Sequence, residues 1–480
     1  MEFGICILQA LANKERRGYY LGVNVSLELL RERIKNLDVI AKLSVPHFAG
    51  RIYLVGGAIR ELALGQSPVD YDFALERAED TARLEELFRT KGFFLGKKPA
   101  QTYRVVGADG VFDLTFIHGD ILSDLARRDF TMNAIGYDTA SGDMFDPYGG
   151  LGDISRRLIR YPRRESLKED PLRMLKAVRH LATLPDFSLD HDLVQAIHEE
   201  RDLIRLTAPE RVKYELDLIM LSPDPYKGIA ALRDTRLLFL LFPELSELEQ
   251  MDREKGFDLE TLGHTIEGFK YLDKAKAFHP FDEQDTRSTA YALLFHDLGK
   301  AYTFSYDETK QRVHFFYHEK HSREMAAAIM ERLRFSSHEI RVISTLIEQH
   351  MRVFLISHEG ATDKAVRRLV YKMGDLTPPL VLLTLLDMYG SSNGEENETT
   401  VRVRERCTEA LSAYDDWRRA PLPGLVNGYD LLALGFPEGP RVGKVLDVIR
   451  EKQVSGEITD KSAALEYARQ QLETVNTGKD

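Results

Sequence analysis

Two aspartates, Asp70 and Asp72, stand one residue apart in Val69-Asp-Tyr-Asp-Phe73. In a strand, residues two apart share a face, so both carboxylates point the same way. Side-by-side carboxylates repel each other unless a cation neutralises them. Magnesium does this, and it favours carboxylate and substrate phosphate as ligands. Upstream, Leu54-Val-Gly-Gly-Ala-Ile-Arg60 supplies the phosphate side of such a site. Gly56 and Gly57 end a β-prone run and precede an apolar, helix-prone segment, residues 58–64. Glycine lets the backbone come close to a ligand, and a strand-to-helix turn aims free N–H groups at an anion. The set reads as a nucleoside triphosphate held over two metal ions. Asp113, in Val111-Phe-Asp-Leu-Thr115, offers a third carboxylate.

Further along stands Arg127-Arg-Asp-Phe-Thr-Met-Asn-Ala134. Adjacent guanidiniums such as Arg127 and Arg128 suit phosphate, which they grip in bidentate fashion. Asp129 can accept from ribose hydroxyls, and Asn133 can accept or donate. In Glu169-Asp-Pro-Leu-Arg173, the spacing puts Asp170 and Arg173 on one helix face, with Pro171 in the first turn. A carboxylate accepts and a guanidinium donates, so the pair can read the Watson–Crick edge of a base. Cytosine and adenine both offer an amino donor beside a ring-nitrogen acceptor. One Asp–Arg pair therefore suits C and A and rejects G and U. The bland alternative is an intrahelical salt bridge of a few tenths of a kcal/mol.

A second constellation is separate: His264-Thr265, His296-Asp-Leu-Gly-Lys300, His318-Glu319 and His350-Met351, with Asp387 in Leu386-Asp-Met-Tyr-Gly390. An adjacent pair such as His296-Asp297, with histidines on flanking helices, is how a helical scaffold holds a divalent transition metal. His314, His321 and His338 read as ordinary surface or core histidines.

The elements that must position these residues follow from patterning. Short β-prone runs cover residues 51–55, 71–75, 103–106, 111–116 and 134–137, with helices between them, which predicts a small mixed sheet. After Arg160 the strand signals stop. Residues 168–183, 193–201 and 210–221 read as amphipathic helices, punctuated by Pro185, Pro209 and Pro223. Residues 224–242 continue the helical pattern, a histidine-bearing helical region runs from about 262 to 390, residues 391–400 form a polar loop, and 401–472 are helical again. The fold class is therefore α+β, a sheet-bearing N-terminal part followed by an all-helical remainder.

At 480 residues the chain holds three or four domains. It carries 65 basic and 76 acidic residues, net −11, so contact with nucleic acid requires local basic patches. Residues 154–183 provide one, with nine Lys/Arg against three acids. Cys6 and Cys407 lie far apart, which excludes a disulfide framework or a cysteine zinc cluster and fits a reducing cytoplasm. The apolar segment 3–12 is too short to span a membrane and reads as no signal peptide.

Gly-Gly, a following Arg and then Asp-x-Asp resemble the polymerase-β-type nucleotidyltransferase superfamily. With residues 127–134 and 169–173 added, the chain resembles the class II tRNA nucleotidyltransferase and bacterial poly(A) polymerase family. The His–Asp set resembles the HD phosphohydrolase superfamily. These resemblances imply an N-terminal helical extension (1–48), a nucleotidyltransferase head (49–160), a helical neck and body (161–258), an HD domain (259–390) and a C-terminal helical region (391–480). They imply Asp70, Asp72 and Asp113 as catalytic residues with Mg2+ on Asp70 and Asp72. Gly56, Gly57, Arg60, Arg127, Arg128, Asp129, Asn133, Asp170 and Arg173 would bind the nucleotide. His264, His296, Asp297, His318, His350 and Asp387 would hold the second metal. Asp146-Pro-Tyr-Gly-Gly150, with Asp153 and Arg160, resembles the turn between head and neck, and Arg211 a support for the neck. The implied reaction moves a nucleotide from CTP or ATP to a tRNA 3′-hydroxyl to build a CCA end. Narrower relatives add only A, only CC, or a poly(A) tail. An HD phosphodiesterase acting on RNA ends and a non-catalytic RNA-binding protein are the readings of other classes. One departure stands out: the family has Asp after Gly-Gly-x-x-Arg, and Glu61 stands here. The loop 92–102, with Lys97 and Lys98, is the expected mobile part of a pocket that changes its reading.

Overall fold

A computed structural model describes residues 26–44, 48–95, 102–107, 110–117, 119–184, 186–255, 260–419 and 422–476. Cys6, the apolar segment 3–12, Lys97 and Lys98 lie outside the described residues. The chain divides after Leu241 into two compact units.

The first unit is built on a seven-stranded mixed sheet of order β3-β4-β5-β2-β1-β6-β7. Its strands are β1 (Ile52–Val55), β2 (Asp70–Leu75), β3 (Phe93–Leu95), β4 (Thr102–Gly107), β5 (Gly110–Phe116), β6 (Gly136–Asp138) and β7 (Met144–Phe145). Only β2 and β5 run parallel. β1 is apolar at every position because it lies in the sheet interior and is buried on both faces. β2 alternates instead. Tyr71 and Phe73 point to the face where Phe112 and Phe88 stack with centroids 4.3 Å apart. Asp70 and Asp72 point to the other face, whose inner end is the core cluster of Tyr53, Val55, Ala74, Ile121, Leu125 and Ala134. The pleat thus delivers both carboxylates to one open surface.

Helices then replace strands in this unit: Arg173–Thr183, His191–Glu200, Pro209–Met220, Pro225–Asp234 and Leu237–Leu241. The expected single helix over 168–183 is broken. Ser166–Glu169 forms one turn, and the next helix begins only at Arg173. Proline disfavours helical geometry in the residue before it, and Asp170 is extended at φ −143°, ψ 95°.

The predicted head-to-neck turn is a packed corner. Asp146 accepts from the Gly150 and Leu151 N–H groups at 2.6 and 3.0 Å. The fully buried Asp153 accepts from Thr131 Oγ1 (2.6 Å), Arg156 and Arg160. A Cβ on Gly150 would lie 2.1 Å from the Thr131 carbonyl oxygen. Gly150→Ala should therefore cost about 1–3 kcal/mol of stability, read as a fall in melting temperature.

The second unit is helical, with one exception to the sequence expectation. Strands β10 (Phe304–Asp307) and β11 (Arg312–Phe315) make an antiparallel hairpin inside the histidine-bearing region, and β8 (Leu158–Ile159) pairs with β9 (Ser188–Leu189) in the first unit. Strand signals do continue past Arg160, but in runs of two to four residues that show no usable alternation. Among the described residues one helical stretch, Asp363–Ser391, is long and apolar enough to cross a membrane; 72% of its apolar window is buried inside the fold. Cys407 is a free, buried thiol. The polar loop is shorter than expected, because helix Glu398–Arg419 begins within it.

Candidate functional site

The head site is assembled on the open face of the sheet. Parallel pairing sets Asp72 directly beside Asp113. Asp113 is held in a two-point grip by Arg104, opposite it on β4, with Nε–Oδ1 and Nη2–Oδ2 both 2.7 Å. The third carboxylate is thus present on the expected face, already paired to a cation that the sequence reading missed. Asp72 is raised above the usual carboxylate range. Desolvation by the surrounding protein is the main cause, Arg128 opposes it, and the like charges of Asp113, Asp129 and Asp70 add to it. Solvent still reaches the Asp72 side chain from the open side. A cluster of this kind favours an incoming cation.

Gly56 sits at φ 77°, ψ −140°, before helix Gly57–Ala63. A Cβ there would meet the Asp72 carboxylate at 2.8 Å and the Arg128 guanidinium at 3.1 Å. The glycine therefore serves both a left-handed turn and a close approach to the carboxylates.

Arg60, predicted to touch nucleotide, is largely buried. It donates to Asn133 Oδ1 at 2.6 Å and to Glu61 Oε1 at 3.1 Å. Burial lowers its pKa, and the carboxylates of Glu61 and Asp129 oppose that shift. Glu61, the departure from the family pattern, reaches its neighbouring arginine. Asn133 in turn donates to Asp129 Oδ1 at 3.0 Å, and the Phe130 N–H donates to the same oxygen at 2.9 Å. Burial works against charge on Asp129, but Lys176 and these hydrogen bonds bring it down to about 2. His180 is buried against Phe130 and lies well below the usual histidine range, through burial and the charges of Arg179 and Arg60.

Arg127 and Arg128 share one partner. Asp124, 1% exposed in its side chain, accepts from both: from Arg127 Nε at 2.9 Å and from Arg128 Nε and Nη2 at 3.1 and 3.0 Å. Arg127 keeps 57% of its side chain exposed. Asp124 stands three and four residues before the arginines, a helical spacing that could have revealed it.

Asp170 and Arg173 do not share a helix face, because the break at Pro171 separates them. The intrahelical salt bridge is absent as well. Asp170 Oδ2 accepts from Arg211 Nη2 at 2.9 Å, which makes Arg211 the support expected of it. Arg173 donates to the Ser166 carbonyl at 3.1 Å and to the Arg127 carbonyl. The Arg173 side chain thus ends beside the 127–133 segment.

In the second unit, five chain segments bring His264, His296, Asp297, His318, His350 and Asp387 together. His264 Nε2 lies 3.0 Å from Asp297 and 3.6 Å from Asp387. His296 Nε2 lies 3.2 and 3.5 Å from the same two carboxylates. His318 Nε2 is 3.4 Å from Asp297 and 3.2 Å from His350 Nε2. Each histidine turns its Nδ1 to a backbone carbonyl three or four residues upstream, those of Glu260, Leu293, Phe315 and Ile347, at 2.7–3.0 Å. That leaves every Nε2 aimed inward, the orientation that metal-binding imidazoles take from a carbonyl behind them. His296 Nε2 and both Asp297 oxygens are buried and make no well-aligned hydrogen bond. Buried ring nitrogens and carboxylate oxygens that converge without aligned hydrogen bonds fit a shared cation. Asp387, the least certain ligand by sequence, is within the cluster, with His264 and His296.

The charges agree. Burial opposes charge on His296, yet Asp297 and Asp387 outweigh it and raise the imidazole to about 10. His350 falls to about 3 through burial and the charge of His296. Lys300 Nζ, 2.7 Å from Asp297, is a further cation of the cluster, legible as the last residue of His-Asp-Leu-Gly-Lys.

Three family models match: the poly A polymerase head domain over residues 101–160, the probable RNA and SrmB-binding site of polymerase A over 186–248, and the HD domain over 260–389. The chain is 32% identical to the A-adding tRNA nucleotidyltransferase of Deinococcus radiodurans over 425 residues, 86% of this chain and 94% of that one. It is also 32% identical to the CC-adding tRNA nucleotidyltransferase of Thermus thermophilus, over 88% of this chain and 95% of that one. Its fold is similar to that of a CCA-adding enzyme solved with CTP, at TM-score 0.65 and 19% identity, covering 93% and 98% of the two chains. The likeness to these relatives runs along nearly the whole length of both chains, and the chain belongs to the tRNA nucleotidyltransferase family.

Proposed function

We propose that this chain transfers nucleotides from CTP and ATP to the 3′ end of tRNA and completes a CCA end, in the compartment that holds tRNA, the cytoplasm. The observation that carries the reading is the row Asp70, Asp72 and Asp113 on one sheet face, with Gly56 against Asp72 and Arg128 beside it. Asp70 and Asp72 would hold Mg2+. Bound there, the metal lowers the pKa of the attacking 3′-hydroxyl and neutralises the leaving pyrophosphate. The chain's own groups do the rest. Arg127 and Arg128, fixed by Asp124, grip the triphosphate. Asp129, kept ionised, accepts from the ribose. Asp170 and Arg173 present an acceptor and a fork of donors to the base edge.

Equal identity to an A-adding and a CC-adding relative leaves the number of additions to the pocket itself. The acidic chain favours a short, defined product over a processive tail, which needs a strongly basic surface. The test offers CTP and ATP with tRNA ending at the discriminator base, at -C and at -CC, and with an unstructured oligoribonucleotide. The expected result is extension of tRNA by three nucleotides or fewer. A long ladder on the unstructured RNA with ATP alone would identify a poly(A) polymerase; extension only of tRNA ending in -CC would identify an A-adding enzyme.

The second cluster supports a second activity, divalent-metal phosphoester hydrolysis. The imidazole-rich set suits a transition metal. His296→Ala combined with Asp297→Ala should remove metal binding and any phosphodiesterase activity while leaving nucleotide addition intact. Metal analysis and an addition assay on the same folded double variant check this, and loss of addition would show the two sites to be coupled.

A further inference from the structure

The hairpin β10–β11 leads from the His296-Asp297 segment to His318, and its end carries groups that neither site uses. Of the eight exposed Phe and Tyr side chains among the described residues, four fall in this one stretch: Tyr302, Tyr306, Phe316 and Tyr317. Such clustering differs from the singly scattered apolar residues of an ordinary surface. Tyr317 adds a second observation. It is 65% exposed and lies at φ 60°, ψ 22°, the left-handed region that bulky residues avoid. Eight non-glycine residues have positive φ among the described residues, and Tyr317 is the one aromatic side chain in that set; a ring this exposed repays little of the strain through burial.

The surroundings say what the ligand is. Phe316, 64% exposed, stacks on His314 with centroids 4.9 Å apart and 10° between the planes. Lys320 Nζ sits 4.7 Å over the Tyr317 ring. Arg312 and His314 are two apart in β11 and share a face. Exposed flat rings bordered by cations are the chemistry that holds a nucleobase with its phosphate. The opposite face of the hairpin is seated on the metal cluster: Lys300 Nζ lies 5.4 Å from the centre of the Phe315 ring and 2.7 Å from Asp297. The Phe315 carbonyl also orients His318.

We propose that Phe316 and Tyr317 form a stacking subsite for an unpaired nucleobase whose phosphate ester is presented to the His–Asp cluster. The subsite rests on the reading of that cluster as a metal-held phosphoester site. The base arrives on a free nucleotide or on an RNA 3′ end, which offer the same chemistry.

The test irradiates the full-length protein with 5-iodouridine monophosphate and, in parallel, with a short unstructured oligoribonucleotide ending in 5-iodouridine. Excess CTP keeps the head occupied, and cross-linked peptides are mapped by mass spectrometry. A cross-link on Phe316 or Tyr317 is expected, with the nucleotide arm marking a free nucleotide and the oligomer arm an RNA end. In Tyr317→Gly the yield should fall about tenfold, the worth of one stacked base. Its melting temperature should hold or rise, because glycine adopts the left-handed conformation without strain. No cross-link within residues 312–320 in either arm overturns the subsite, as does a Tyr317→Gly variant that melts lower yet cross-links undiminished. Metal content of the same samples separates the two readings. Cross-linked but metal-free protein overturns the metal reading alone; metal-loaded protein without a cross-link overturns the subsite alone.

Discussion

Asp70→Ala or Asp72→Ala is expected to bring nucleotide incorporation down by on the order of 10³-fold or more. Loss of a metal ligand removes several kcal/mol of transition-state stabilisation, and each 1.4 kcal/mol or so is a factor of ten. Both side chains are exposed on the sheet face, so the fold should not suffer. Surface substitutions of this kind change stability by about 0.5 kcal/mol or less, and removing one of several crowded carboxylates relieves repulsion. The measurement is a single-turnover incorporation assay with a melting curve on the same sample. Full activity in either variant would sink the two-metal assignment.

Arg173→Ala should do something different: it should blur the choice of nucleotide as well as slow addition. A site built on hydrogen bonds rejects the wrong base because buried polar groups are left without partners. Without the guanidinium, discrimination of C and A against G and U should fall by at least about tenfold. Arg173→Lys should not restore it, since an ammonium lacks the planar fork. The check is incorporation of all four nucleotides, each offered alone. An unchanged preference with a lower rate would make Arg173 a prop for the Arg127 carbonyl to which it donates.

The sequence carried the parts of this molecule that local periodicity writes down. The strand positions of Asp70, Asp72 and Asp113 followed from a two-residue repeat, and the sheet bears them out. The conformation at Asp170 was misread because an apolar helical period ran through Pro171, and the backbone restriction on the residue before proline overrode it. Arg104 was invisible for another reason. Its bond to Asp113 depends on which residue of β4 faces which residue of β5, and register is a tertiary fact. Asp124 and Lys300 were legible, at three or four residues from their partners. The His–Asp cluster could be guessed from its residue types alone, whereas the inward aim of each imidazole needed the helices to set the carbonyls behind them.

The links between residues 163–176 and the 126–133 segment bear on how this enzyme could be re-engineered. Arg163 donates to the Ala126 carbonyl at 2.9 Å, Arg173 to the Arg127 carbonyl, and Lys176 faces Asp129 at 3.8 Å. These links run from the segment 163–176, proposed to carry the base reader, into the segment proposed to grip phosphate and ribose. A chimera joined at residue 160, with the neck of one relative grafted onto the head of another, would part β8 from its partner β9 and change the donor side of every one of these links. The donor's specificity would therefore transfer only if the graft carried residues 124–133 along with the new neck. The interchangeable module is that composite piece, and its seams lie before Asp124 and within the helices beyond Thr183.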